Sequence, residues 1–144
     1  MIYIGTDHRG FQLKEEIKKF LAEKKYQFED MGNFAYNPND DYTDFAKLVA
    51  QKVAEKPDEN KGVLICGSGV GVDITANKFH GVRSALADDV ATAKQSRKHD
   101  DTNILSLPAD EVSFDLAKQI IETWLTTPFS NGEKYKRRIN KIEQ

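Results

Sequence analysis

Cysteine is nearly absent from this sequence: Cys66 stands alone among 144 residues. One cysteine cannot close an internal disulfide, which excludes the stapled secreted scaffolds and suits a reducing compartment. Three scattered histidines beside one cysteine give no zinc-ligand spacing, so no metal is expected. No apolar run approaches the ~20 residues that span a bilayer, and Met1–Gly5 lacks the basic and apolar regions of a signal peptide. The expectation is a cytoplasmic protein with no membrane partner. Excess charge is also missing: the net value of −2 supplies no general attraction to nucleic acid or anionic lipid. With only four prolines, no low-complexity tract, no internal repeat and no interdomain linker, residues 1–144 read as one domain.

What is present is a regular alternation. Ile2–Thr6 reads as a strand, Phe11–Lys25 as a helix with a lysine-rich outer face, and Tyr26–Met31 as a second strand. The loop 32–41 (GNFAYNPNDD) is full of turn formers. Tyr42–Glu55 is helical, with Phe45, Leu48, Val49 and Val53 inward. Val63–Ile65 is a continuous apolar run, the mark of a strand buried on both faces. A turn follows, with a helix from Asp73, a strand at Val82–Ala87 and a helix at Asp88–His99. Asn103–Leu107, an amphipathic helix Val112–Thr126 and a basic helix Gly132–Ile142 complete the chain. Strands alternating with helices imply an α/β fold, a doubly wound (Rossmann-like) sheet of five parallel strands. In such sheets ligands sit at the carboxyl ends of the strands, near a topological switch point. Those ends carry Thr6-Asp7-His8, Cys66-Gly67-Ser68 and Ala87-Asp88-Asp89.

The organising stretch is Lys61-Gly62-Val63-Leu64-Ile65-Cys66-Gly67-Ser68-Gly69-Val70-Gly71-Val72-Asp73. A lone cysteine at a strand end is by default a small buried hydrophobe. Here a glycine-rich turn entering a helix directs backbone N–H groups into one small volume, which favours an anion and a thiolate. Cys66 is therefore a candidate catalytic residue. The alternate glycines Gly67, Gly69 and Gly71 miss the G-x-G-x-x-G dinucleotide pattern at Val72, although Asp88 could serve a ribose. A nucleotide-binding module stays as the rival reading; a Walker A loop is excluded because no Gly-Lys-Ser/Thr follows. Asp7 and His8 could simply cap a turn or could face the same crevice as Cys66. His99 ends a helix, where a cation is favoured by the dipole without any function. His80 reads as a surface residue. Lys134 and Arg138, spaced i, i+4, share one helix side and suit a phosphate.

The segments Gly5-Thr6-Asp7-His8-Arg9-Gly10, Asp41-Tyr42-Thr43-Asp44-Phe45-Ala46, Cys66-Gly67-Ser68-Gly69-Val70-Gly71, Ala76-Asn77-Lys78 and Ser96-Arg97-Lys98-His99-Asp100-Asp101-Thr102-Asn103 stand in order. Across nearly its whole length the chain resembles the sugar-phosphate isomerase family of ribose-5-phosphate isomerase B and the galactose-6-phosphate isomerase subunits. The cysteine loop favours the ribose-type branch. The resemblance implies a cofactor-free aldose–ketose isomerisation of D-ribose 5-phosphate and D-ribulose 5-phosphate through a cis-enediolate. It implies Cys66 as the base, Ser68 moving a proton between the oxygens, and the backbone of Gly67, Gly69, Val70 and Gly71 holding the enediolate. His99 would open the sugar ring with Asp7 nearby, His8, Lys134 and Arg138 would grip the phosphate, and Tyr42 and Asp100 would line the sugar site. It also implies a homodimer or a dimer of dimers with sites shared across the interface. Asp100 stands where the family commonly has asparagine, Lys134 where it has arginine, and Asp110 where many members carry a basic residue. The two acids subtract positive charge from the anion site, and a hexose phosphate such as allose or galactose 6-phosphate remains an alternative substrate.

Overall fold

The computed structural model describes residues 1–144. The chain runs β1 (Ile2–Thr6), α1 (Phe11–Glu23), β2 (Phe28–Asp30), α2 (Tyr42–Glu55), β3 (Lys61–Cys66) and α3 (Val70–Ala76). It continues through β4 (Ser84–Leu86), α4 (Val90–Asp100), β5 (Ile104–Pro108), α5 (Phe114–Thr126) and α6 (Glu133–Ile142). All strand pairs are parallel and the sheet order is β2-β1-β3-β5-β4. This is the doubly wound α/β sheet that the alternation implies. No helix is long and apolar enough to cross a membrane.

The two faces of the sheet are set by side-chain alternation. Ile2, Ile4, Val63, Ile65, Leu105 and Leu107 pack with Ile17 and Leu21 of α1 and with Ile120, Ile121 and Trp124 of α5. Leu64, Cys66 and Ile104 point the other way, onto Ala46, Val49 and Val53 of α2 and Val72 and Ala76 of α3. Burial on both faces explains why β3 reads as an unbroken apolar run. The chain leaves β1 towards β2 and returns through α2 to β3 on the opposite side of β1, so the winding reverses between β1 and β3. Thr6 pairs with Ile65 in that register, which places Asp7 beside the end of β3.

Three local expectations are corrected. The helix after the glycine turn begins at Val70 rather than Asp73, because Gly69 in the left-handed region (φ 73°) makes the turn by itself. Leu48, expected inward, is 42% exposed on the outer side of α2. Lys14, expected among the outer lysines of α1, is fully buried. Its Nζ donates to Asp30 Oδ1 at 2.7 Å and to the Asn33 carbonyl at 2.6 Å, while Lys18 Nζ reaches Asp30 Oδ2 at 2.7 Å. A carboxylate at the end of the edge strand β2 gathers both lysines, and Lys14 reaches on to the following loop.

Candidate active site

The site grows from the switch point. Thr6 Oγ1 donates to the Ile65 carbonyl at 2.9 Å and ties the end of β1 to β3. Asp7 then caps a 3-10 turn over His8–Gly10, its carboxylate accepting the Arg9 N–H at 3.0 Å. It is buried, and that burial raises its pKa against the opposing amide bonds from Arg9 and Gly10. The loop after β2 returns Asp40 to His8: Asp40 Oδ1 accepts both the His8 N–H at 3.0 Å and His8 Nδ1 at 2.7 Å. Asn33 Nδ2 donates to Asp40 Oδ2 at 2.6 Å. Burial pushes the Asp40 carboxyl up, but the bonds from His8 and Asn33 outweigh it and hold the group below its usual range. With Nδ1 committed to Asp40, Nε2 is the His8 nitrogen left for a ligand. Asp7, His8 and Asp40 also bring their ligand-type atoms within 4.8 Å of one another, and they are the residues spaced to hold a metal ion.

Cys66 is 4% exposed, and its Sγ accepts the Gly69 N–H at 3.1 Å. The exposed Ser68 takes the Val70 N–H on its Oγ at 3.3 Å. The amides of Gly67, Ser68, Gly71 and Val72 donate to no backbone carbonyl. The Cys66 and Gly67 carbonyls accept the N–H groups of Ala109 and Asp110 at 2.9 and 3.0 Å, which fastens the loop to the end of β5. Two side chains need its glycines: a Cβ at Gly71 would lie 2.5 Å from Tyr42 Cζ, and one at Gly67 would lie 2.6 Å from Arg9 Nε. Tyr42 and Arg9 thus lie directly over the loop. The result is a buried thiol ringed by unpaired amides, with an acid–histidine pair alongside.

The remaining sequence-derived residues lie elsewhere in the chain. Ile104, at the start of β5, pairs with Gly62 and Ser84 at the amino ends of β3 and β4. His99 and Asp100, a few residues earlier, therefore sit at the end of the sheet opposite Cys66. The His99 ring stacks on Tyr135 of α6 with centroids 4.4 Å apart and planes within 9°. Lys134 Nζ and the Arg138 guanidinium carbon lie 5.0 and 6.0 Å from the centre of the same ring. Tyr135 gathers these three basic groups into one cluster. The Asp100 carbonyl accepts from Arg83 Nε at 3.0 Å, and its residue is exposed. His80 is exposed as expected, 3.5 Å from Glu143. Arg9, Asp40 and Tyr135 were missed by sequence reasoning. Arg9 could have been found from its place beside His8; Asp40, one of several polar residues in a turn-rich loop, gave no signal.

An open parallel sheet with a thiol, a glycine loop and an acid–histidine pair at its switch point defines an α/β enzyme. The model of the Ribose/Galactose Isomerase family matches residues 2–142. The chain is 39% identical over 145 residues to ribose-5-phosphate isomerase B of Escherichia coli, covering 99% of this chain and 96% of that one. The structure of ribose-5-phosphate isomerase B from Mycoplasma genitalium with bound ribulose-5-phosphate superposes with a TM-score of 0.96 at 42% identity. That match covers 99% of this chain and 93% of the other. The enzyme of the same name from Thermotoga maritima gives 0.93 at 40% identity, with 99% and 96% covered. The chain belongs to the ribose/galactose isomerase family.

Proposed function

We propose that this protein interconverts D-ribose 5-phosphate and D-ribulose 5-phosphate, with Cys66 as the general base. The observation that carries the reading is the Cys66 sulfur, under an amide donor and beside free loop N–H groups, at the switch point of a chain in this family. Cys66 as thiolate takes the proton from C2 of the aldose, leaving an enediolate, and the thiol returns a proton to C1. Ser68, exposed at the mouth of the loop, relays the hydroxyl proton from O2 to O1. The unpaired amides of Gly67, Ser68, Gly71 and Val72 bear the developing negative charge, as in an oxyanion hole. Tyr42 bounds the sugar, and His8 offers Nε2 to the phosphate. No step draws on a cofactor or metal.

Ring opening by His99 and phosphate contacts from Lys134 and Arg138 require a second copy of the chain, since these groups occupy the opposite end of the sheet. An apolar face beside the loop supports such a pairing: Leu48, Val70 and Ile74 are 42%, 46% and 55% exposed on the adjoining helices α2 and α3. The bound ribulose-5-phosphate in the Mycoplasma genitalium enzyme supports the choice of substrate. The test is direct assay of both directions, followed by subunit mixing. Cys66→Ala and His99→Ala are each expected to be nearly inactive alone. Unfolded together and refolded, they should regain about a quarter of wild-type activity, because random reassortment restores one complete site in half of the dimers. Absence of regain would reject the shared site, and absence of wild-type turnover would reject the substrate.

A further inference from the structure

Arg9 is a permanently charged cation that the fold brings against the thiol loop. Its backbone is fixed, because its N–H is the one that the Asp7 carboxylate accepts at 3.0 Å. Its guanidinium lies across Gly67, where any Cβ would fall 2.6 Å from Nε, so the absence of a side chain at that position is what admits it. The side-chain partner of the guanidinium is Asp110, which pairs with Nη2. Asp110 is itself placed by the loop, its N–H donating to the Gly67 carbonyl at 3.0 Å. Both side chains are open to solvent, Arg9 at 55% and Asp110 at 43%.

An ion pair so exposed contributes little to stability, so its loss costs the fold little. An arginine fork binds a phosphate dianion through two parallel charge-assisted bonds, and a singly charged carboxylate is the weaker competitor. The other candidate phosphate group at this end is His8, which is neutral unless protonated. We infer that Arg9 is the principal anion-binding residue of the thiol half-site and that Asp110 competes with the substrate phosphate for its guanidinium. The pair sets how tightly this chain holds phosphorylated sugars: Arg9 attracts the phosphate, and Asp110 moderates that attraction and helps the product leave. The inference rests on the isomerase reading above for its substrate, but its binding component can be measured without turnover.

The experiment combines ribose 5-phosphate kinetics with calorimetric titration of inorganic phosphate, on wild type, Asp110→Asn, Arg9→Ala, Arg9→Lys and the Arg9→Ala/Asp110→Asn pair. Asp110→Asn is expected to lower KM about threefold and to tighten phosphate binding, the scale of an exposed ion pair. Arg9→Ala should raise KM roughly tenfold, more than it lowers kcat, with lysine falling between because it lacks the fork. In the double variant the gain from Asp110→Asn should vanish, which a merely structural ion pair would not produce. Unchanged or weakened phosphate binding in Asp110→Asn, unchanged binding in Arg9→Ala, or no phosphate binding by wild type would each overturn the inference. If phosphate affinity shifts as stated while wild type fails to isomerise ribose 5-phosphate, the anion assignment stands and the proposed reaction falls. Normal turnover with phosphate affinity indifferent to Arg9 is the converse result.

Discussion

Replacing Cys66 by alanine is expected to lower kcat for ribose 5-phosphate by roughly 10²–10⁴-fold, the usual contribution of a positioned general base. The loss should appear in the exchange of the C2 proton with solvent as well as in net turnover, because the same sulfur is proposed to remove and return that proton. Cys66→Ser keeps an acceptor for the Gly69 N–H, now 3.1 Å from Sγ, and so preserves the loop while replacing sulfur with a hydroxyl oxygen, a far poorer acid than any thiol. Both variants should therefore be slow, and the serine variant should retain wild-type substrate affinity. Circular dichroism and thermal melting check that the sheet is intact. Wild-type proton exchange in the alanine variant would remove the sulfur from the chemistry.

The second large effect is on folding. Lys14 Nζ is fully buried between Asp30 and the Asn33 carbonyl, so Asp30→Ala leaves a charge without its counter-ion in the interior. Breaking a buried pair on one side costs about 3–5 kcal/mol. The denaturant midpoint should fall accordingly, with little change in the slope of the transition. The consequence extends to the site. Asp30 Oδ1 also accepts the Gly32 N–H at 2.9 Å, and Gly32 and Asn33 bond to Thr6 at 2.8 and 2.9 Å. Asn33 in turn holds Asp40, which holds His8. Loss of Asp30 should therefore loosen His8 and raise KM as well.

The same carboxylates shape the acid limb. For Asp30, burial raises the pKa but the bonds from Lys14 and Lys18 outweigh it and hold the group below its ordinary value. Asp40 is lowered in the same way by His8 and Asn33. A lowered carboxylate stabilises the fold above its unfolded pKa of about 3.9, and that contribution is lost as pH falls from there through the folded value. Asp7 and Asp73 are raised chiefly by burial. Their contribution has the opposite sense, present below the unfolded value and lost as pH rises through the folded one. Unfolding free energy should drop below about pH 4 in wild type, and the drop should be shallower in Asp30→Ala.

The family resemblance was carried by contiguous motifs: Asp7-His8, Cys66 with its glycines, and the segment around His99. Such motifs are legible because one short stretch of backbone performs the work. The strand β3, with its unbroken apolar run, and the helix α5, with its apolar period, were legible for the same reason. Lys14 was not, because its burial depends on a carboxylate of another element and on a loop carbonyl. Asp40 and Tyr135 were not, because their work is to hold histidines far away in sequence.

By itself the sequence determined which segments become strands and helices, since side-chain period and turn residues act over a few positions. It also determined where the lone thiol falls, at the point where an apolar strand gives way to glycine. The order β2-β1-β3-β5-β4 was decided only by tertiary packing, and with it the neighbours of that thiol. So was the separation of the acid–histidine–cysteine group from the His99–Tyr135 cluster, at opposite ends of one sheet. Local preference fixes the conformation of a segment, whereas adjacency between distant segments follows from how the two apolar faces of the sheet are covered at once.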